Sequence, residues 1–197
     1  YGTAQTNFQD YLNQNNYIGK GTPTRYAVSD ANYYYAACAV EMFQDDAEDL
    51  MKKFIANYPE SPKIALAHFH LGKIFFRKKD YESAIRELTS TDIYQLTKEQ
   101  YIEHSFKLGY SYYMVKDYDN SLLYFAKIKD EKNLYQVAAI YYYAHICYLQ
   151  QKYEVALQHF LLIKDEKKFS QIVPFYIAQI YFIQKKYQEV IDYATPI

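Results

Sequence analysis

Apolar residues recur along this chain at intervals of three and four, in amphipathic stretches of 8 to 18 residues separated by brief polar breaks, and that spacing is the signature of helices burying one face. Helices are expected at 30–43, 47–58, 63–78, 81–88, 98–115, 118–129, 134–150, 153–164, 172–184 and 187–194. No segment shows the strict alternation of a half-buried strand. The tract 13–26 (NQNNYIGKGTPTRY) reads as a long loop, because Gly19, Gly21 and Pro23 break a helix and too few apolar residues remain to pack. Pro59 and Pro62 end another helix, and Ser61 is the expected N-cap of the next.

The pattern repeats. Tyr124 to Lys132 reads YFAKIKDEK, and 35 residues later His159 to Lys167 reads HFLLIKDEK. The same offset carries Tyr118 onto Tyr153, Tyr187 lies 34 further on, and Lys79-Asp80-Tyr81 matches Lys116-Asp117-Tyr118 at a spacing of 37. A small or β-branched residue follows each of these tyrosines three positions later (Ala84, Ser121, Ala156, Val190), and in three cases a large apolar one lies four beyond that (Leu88, Phe125, Phe160). Before each tyrosine runs another helical stripe, as in Leu71-Gly72 with Phe75 and Leu108-Gly109 with Tyr112. Two helices per unit, here called A and B, follow from this.

The signature LGKIFFRKKDYESAIREL, residues 71–88, resembles the tetratricopeptide repeat family, and LGYSYYMVKDYDNSLLYF, residues 108–125, is similar. YAHICYLQQKYEVALQHF (143–160) and IAQIYFIQKKYQEVIDYA (177–194) replace the Leu-Gly pair by Tyr-Ala and Ile-Ala; a weaker copy runs from Tyr35-Ala36 to Met51, and Tyr1, Ala4 and Phe8 fit a helix B. The family's large aromatic at the fourth position of helix A is here His68, Ser105, Ile140 and Pro174, and its closing proline is mostly missing. Pro174 is expected in the first turn of its helix. The resemblance implies an all-α fold, an α-α superhelix (a tetratricopeptide solenoid) of about five hairpins with a leading half repeat. It also implies a single solenoid domain over 1–197, expected to be a fragment of a longer repeat protein. The connector Tyr58-Pro59-Glu60-Ser61-Pro62 is similar to those of bacterial cell-envelope tetratricopeptide proteins, such as the lipoprotein of the barrel-assembly machinery and periplasmic cell-division coordinators. That similarity favours a periplasmic or envelope location.

Composition sharpens the picture at three points. Twenty-six Tyr and 12 Phe, with no Trp and only 5 Gly and 5 Pro in 197 residues, leave too few turn formers for an all-β fold. Basic and acidic residues nearly balance, 22 against 23, so there is no cationic surplus to hold nucleic acid phosphates. Glu41, Asp45, Asp46, Glu48 and Asp49 form an acidic cluster that suits a solvated turn and a helix start. Cys38 and Cys147 sit in apolar helical contexts as small buried hydrophobes. The longest stretch without a charged residue, 133–151, carries five Tyr, a His and four Gln or Asn in its helical pattern, so no transmembrane segment is expected.

Local signatures of chemistry do not occur. His68 and His70 are two apart and diverge on a helix, and there is no HExxH, paired-cysteine motif, phosphate loop or nucleophile elbow. His68, His70, His104, His145 and His159 therefore read as packing or surface residues, and no catalytic residue, metal ligand or cofactor is assigned.

In the resembled family, positions 2, 5, 9, 12 and 13 of helix A line a concave groove. On this chain the fifth and twelfth positions are Tyr33 and Val40, Phe69 and Phe76, Phe106 and Tyr113, Tyr141 and Tyr148, Phe175 and Phe182. The ninth and thirteenth are Ala37 and Glu41, Lys73 and Arg77, Tyr110 and Met114, His145 and Leu149, Gln179 and Ile183. The candidate partner-binding groove is thus Phe69, Lys73, Arg77, Phe106, Tyr110, Tyr113, Met114, Tyr141, His145, Tyr148, Leu149, Phe175, Gln179, Phe182 and Ile183. The alternative is that these side chains pack against neighbouring repeats. The expected function is a non-enzymatic scaffold that holds a protein or peptide partner in an aromatic-lined groove, with further association through the terminal repeats. The competing expectation is a glycan- or small-ligand-binding module of a bacterial uptake system, its aromatic rings stacking on sugars.

Overall fold

The computed structural model describes residues 1–15 and 25–194, and the helical periodicity is realised there as eleven α-helices and one 3₁₀ turn, with no strand among the described residues. In chain order they are α1 (Gly2–Gln14), α2 (Arg25–Glu41), α3 (Ala47–Asn57), α4 (Ile64–Arg77), α5 (Tyr81–Thr89), the 3₁₀ turn Ile93–Gln95, α6 (Lys98–Met114), α7 (Tyr118–Ala126), α8 (Gln136–Leu149), α9 (Tyr153–Leu162), α10 (Val173–Ile183) and α11 (Tyr187–Ala194). α1 is the leading half repeat, and five A–B hairpins follow, from α2–α3 to α10–α11. The fold is all-α, built from consecutive helical hairpins.

Several boundaries differ from expectation. α2 begins at Arg25 rather than 30, so Arg25 and Tyr26 leave the expected loop, as do Asn13 and Gln14 at its other end, which belong to α1; residues 16–24 of that tract lie outside the described residues. The early start of α2 carries no apolar signal because polar ties hold it. Ser29 donates its hydroxyl to Ser61 Oγ (3.0 Å), and the Asn32 amide donates to Tyr58 Oη (3.1 Å). Ser61 is accordingly not an N-cap: α4 starts at Ile64, preceded by Lys63, with no side-chain cap. α7 and α9 stop at Ala126 and Leu162, short of 129 and 164, because Ile128 and Ile163 turn into the core through tight bonds to Phe125 O and Phe160 O, both 3.1 Å. Pro174 does sit in the first turn of α10.

One backbone device closes every hairpin. The second residue after each helix A lies in the left-handed region: Phe43 (φ 59°), Lys79 (60°), Lys116 (63°), Gln151 (60°) and Lys185 (60°). Around Lys79 the amide of Asp80 donates to Phe75 O (3.0 Å) and that of Lys79 to Phe76 O (3.1 Å), and the same pair of bonds recurs at 116–117, 151–152 and 185–186. This is the Schellman arrangement, which satisfies the last carbonyls of the helix. It is made here with no glycine. Helix B then starts at once, with Asp80 and Asp117 accepting from the amides of Ser83 (3.1 Å) and Asn120 (3.2 Å). In the last four hairpins its first residue is a tyrosine that meets the residue at position 12 of helix A edge-on or tilted: Phe76–Tyr81 (6.2 Å), Tyr113–Tyr118 (6.1 Å), Tyr148–Tyr153 (5.7 Å) and Phe182–Tyr187 (5.9 Å between ring centres). Each such pair is worth about 1 kcal/mol beyond its burial.

Contacts divide the chain into two compact units, Tyr1–Tyr101 and Ile102–Ile197. In the first, α1 packs on α2 through the Phe8–Tyr34 stack (5.5 Å) and a reciprocal pair of amide bonds between Gln5 and Gln44 (2.8 and 3.0 Å). Its core gathers Val40, Met51, Phe54, Leu71, Ile74 and Phe75 from α2, α3 and α4. The acidic cluster contributes Glu48, in the first turn of α3, whose carboxyl accepts from Lys52 and Lys78 and is held below its usual range by those two bonds. Thr97 and Gln100 form a reciprocal capping box at the start of α6 (2.9 and 3.2 Å). In the second unit, Phe125, Ala144, Ile146, Phe160, Ile163, Ile177 and Ile180 are buried between α7 and α10.

The small residue of helix A is where helix B comes closest. A Cβ on Gly72 would lie 2.5 Å from Cγ and Cδ2 of Leu88, a residue with no exposed surface; on Gly109 it would meet Phe125 and Tyr124 at 3.2 Å. Gly72→Ala is therefore expected to lower stability by about 1 to 3 kcal/mol through displacement of Leu88. At Gly109 the roughly 1 kcal/mol gained from helix propensity nearly offsets the milder crowding, so chemical denaturation should separate the two variants clearly. Gln151→Gly and Lys116→Gly are expected to stabilise. Each relieves a left-handed side chain worth about 1 to 2 kcal/mol against about 0.4 to 1 kcal/mol of added unfolded-state freedom, and a rise in the denaturation midpoint checks this.

Candidate functional site

The groove candidates of the first unit all stand on α4, with Phe69 buried, Lys73 half-buried and Arg77 exposed. Phe69 is 1% exposed and belongs to the core, so it presents no surface to a partner. Lys73 is ion-paired with Glu41 of α2, its ammonium 5.6 Å from the centre of the Phe69 ring. Arg77 donates to Val40 O (2.9 Å) while its guanidinium covers the Phe43 ring at 4.5 Å. Both cations therefore fasten α4 to α2 and its closing turn.

Behind them lies a buried polar cluster. His70, at repeat position 6 on α4, places Nε2 3.2 Å from the Tyr33 hydroxyl and Nδ1 3.7 Å from Glu41 Oε1. Burial first, and the Lys73 ammonium second, push the imidazole down to about 4, against the pull of Glu41. His70 is thus neutral at pH 7. The carboxylate beside Nδ1 favours the tautomer with its proton there, so that the Tyr33 hydroxyl donates to Nε2. Burial, with the neighbouring Tyr34 and Glu41, in turn raises the Tyr33 hydroxyl well above its ordinary value.

In the second unit the candidates form receptacles for rings. Tyr142, at repeat position 6 on α8, inserts among the residues at positions 5, 9 and 12 on α6, which are Phe106 (6.4 Å), Tyr110 (5.1 Å) and Tyr113 (5.0 Å), and stacks on Phe125 of α7 (5.6 Å, 16°). Tyr176, at repeat position 6 on α10, inserts between His145 (5.1 Å) and Tyr148 (5.1 Å) of α8 and stacks on Phe160 of α9 (5.2 Å, 3°). The connector ahead of each helix adds a second ring, Tyr135 on Phe106 and Phe169 on Tyr141, both at 4.5 Å. Tyr141 is consequently buried. Hydroxyl bonds finish the seam: Tyr113 Oη lies 3.0 Å from His145 Nδ1, and Tyr148 donates to Gln179 Oε1 (3.0 Å). Burial lowers the His145 imidazole and raises the Tyr113 and Tyr148 hydroxyls.

Phe106, Tyr110, Tyr113, Tyr141, His145 and Tyr148 are therefore engaged between successive repeats, as the alternative reading of the sequence has it. What remains at the surface is of two kinds. Met114, Leu149 and Ile183, at repeat position 13 on α6, α8 and α10, are 42%, 44% and 45% exposed. Phe175 and Phe182, at repeat positions 5 and 12 on α10, are 58% and 63% exposed and line a cleft of about 330 Å³ with Tyr148, Gln179, Ile183 and Val190. Tyr142 and Tyr176 are absent from the sequence-derived set; their register opposite Phe125 and Phe160 was a signal that could have found them.

Among the described residues no group of three or more His, Cys, Asp or Glu is placed to hold a metal ion, and no helix is long and apolar enough to cross a membrane.

The His70 cluster gives a pH dependence with a definite sign. Because the folded-state value lies below the ordinary 6.5, the unfolded chain binds the proton more readily, so stability is complete above pH 6.5 and is lost as pH falls toward 4. The loss is expected to be about 3 kcal/mol. His70→Gln should remove that component, and equal slopes for wild type and variant in urea denaturation between pH 6.5 and 4.5 would assign the acid sensitivity elsewhere.

A search of curated proteins finds no match to the chain. Residues 45–90, which span α3, α4 and α5, match the family model described as tetratricopeptide repeat. That match sits within five successive A–B hairpins that share one turn geometry, so the chain carries a tetratricopeptide repeat at 45–90 within an all-helical array of hairpins.

Proposed function

We propose that this protein is a non-enzymatic scaffold that binds a protein partner, with the second unit providing the contact surface. Tetratricopeptide repeats typically serve as protein-interaction modules, and the finer placement rests on one observation: Met114, Leu149 and Ile183 hold the same register on three successive A helices and are all about half exposed. An apolar stripe repeated at that interval suits an extended or helical segment that buries one residue per repeat. The equivalent residues of the first unit, Glu41 and Arg77, are charged and tied to α4 and α2. The stripe therefore confines apolar binding to the second unit.

Sugar recognition of the stacking kind needs an open ring face. The rings of Tyr110, Tyr113 and Tyr148 are committed to Tyr142 and Tyr176 at 5.0 to 5.1 Å, which leaves the exposed rings of Phe175 and Phe182 as the surface on which a sugar would stack.

Met114→Asp combined with Leu149→Asp places two charges on exposed positions and is expected to leave the circular dichroism spectrum and melting temperature nearly unchanged. Partner capture in cross-linking or pull-down experiments should fall at least about tenfold. Capture at the wild-type level by the double variant would move the interaction off the stripe, and calorimetric binding of oligosaccharides would point instead to a carbohydrate module.

A further inference from the structure

Two parallel rows cross the A helices of the second unit. Met114, Leu149 and Ile183 stand at position 13 of α6, α8 and α10, and Tyr110, His145 and Gln179 stand at position 9, one helical turn earlier on the same side. Addition of a hairpin does not cover the first row. Met114 and Leu149, each followed by a further helix A, are 42% and 44% exposed, and Ile183, with no helix A after it among the described residues, is 45% exposed. The joints between hairpins use positions 5, 9 and 12 and spare position 13, so succeeding repeats of this chain leave the row open.

Both rows are uncharged at pH 7. Burial lowers the His145 imidazole and keeps it neutral, whereas the corresponding rows of the first unit hold Glu41, Lys73 and Arg77. The row at position 9 also offers donors. A phenol donates more readily than it accepts, so Tyr113 gives its proton to His145 Nδ1 (3.0 Å) and the imidazole N–H stands at Nε2. Gln179 accepts from Tyr148 at Oε1 (3.0 Å), which leaves both amide hydrogens at Nε2 to donate. Neither Nε2 has a hydrogen-bond partner among the described residues.

The spacing of the rows selects a backbone. Successive A helices touch through the Tyr113–His145 and Tyr148–Gln179 bonds, and helices packed side by side lie about 8 to 10 Å apart. Three residues of polyproline II advance about 9.3 Å and return the side chain to the same face. A β-strand sends every third residue to the opposite face. An α-helix reaches the interval in seven residues, about 10.5 Å, but it spends its carbonyls internally and has none for His145 and Gln179. Polyproline II makes no internal hydrogen bonds. We infer that the two rows bind an uncharged polyproline II segment of another polypeptide with an apolar residue at every third position. The apolar residues lie on Met114, Leu149 and Ile183, and the intervening carbonyls accept from His145 and Gln179. This assignment rests on the proposed protein-binding function and names the chemistry of its partner.

The test uses a fluorescein-labelled synthetic peptide, Leu-Pro-Ala-Leu-Pro-Ala-Leu with Ser-Gly at both ends, titrated with the protein and read by anisotropy. Saturable binding is expected, weakened at least about tenfold by Leu149→Asp. Gln179→Glu, which keeps the acceptor for Tyr148 and removes the amide donors, should weaken it about twofold to tenfold. A peptide of the same composition with its three leucines adjacent should bind at least about tenfold more weakly. Equal binding of the two peptides, or binding indifferent to Leu149→Asp, overturns the inference. Absence of peptide binding, where the Met114/Leu149 double variant still loses partner capture, overturns the polyproline II occupant and leaves the stripe as the contact surface. A helical peptide with leucine at every seventh residue that binds in its place does the same. Peptide binding to residues 1–197 that is lost in a longer form of the chain makes the occupant a segment of the same chain and likewise overturns the inference. Circular dichroism confirms the fold of each variant, and Met114→Asp serves as a second variant of the stripe.

Discussion

The second unit depends on one recurring contact, the seating of a tyrosine ring from α8 and another from α10 against two or three side chains of the previous helix A and one ring of the previous helix B. A helical hairpin of 25 to 30 residues cannot bury its own apolar face. Tyr142 and Tyr176 turn that deficit into a joint, since each buries ring surface on two elements at once and stacks within 16° of parallel on Phe125 or Phe160. The tyrosine hydroxyls remain useful because the rim of each joint carries partners for them. The aromatic excess of this sequence follows from that arrangement: a ring at position 6 needs rings at positions 9 and 12, and the connector adds a fourth.

The first unit meets the same requirement by different chemistry. His70 replaces tyrosine at position 6, Ala37 and Val40 replace the receiving rings, and Glu41, Lys73 and Arg77 supply charged fastenings. Burying a neutral imidazole beside an ion pair costs desolvation that a tyrosine avoids. The cluster is held because the Tyr33 hydroxyl satisfies one ring nitrogen while the second faces a carboxylate. The two halves of the protein thus share a fold and a turn while differing in what joins one hairpin to the next.

The hairpins were legible because their heptad-like stripes and the 34- to 37-residue spacing of Tyr81, Tyr118, Tyr153 and Tyr187 survive in plain view. The groove was less so. Position within helix A predicts which side a residue faces, but not whether the next repeat covers it, and so Phe69 and Tyr141 were expected at a surface and lie in the core. The early start of α2 was hidden because Ser29 and Asn32 bond to Ser61 and Tyr58 from a distance in sequence, leaving no periodic mark. The left-handed turn residues were equally silent, since lysine and glutamine give none of the warning that glycine would.

The matched joints at Tyr142 and Tyr176 carry a consequence for the lengthening of the molecule. Because each 35-residue stretch contains both the ring that enters the preceding receptacle and the residues that form the next one, the stretch is closed under duplication. Copying residues 134–168 in tandem would create one more filled joint and leave every existing joint intact. The near identity of YFAKIKDEK and HFLLIKDEK is the trace such a copying event leaves, and it makes the number of hairpins a quantity that selection can adjust without redesigning any interface.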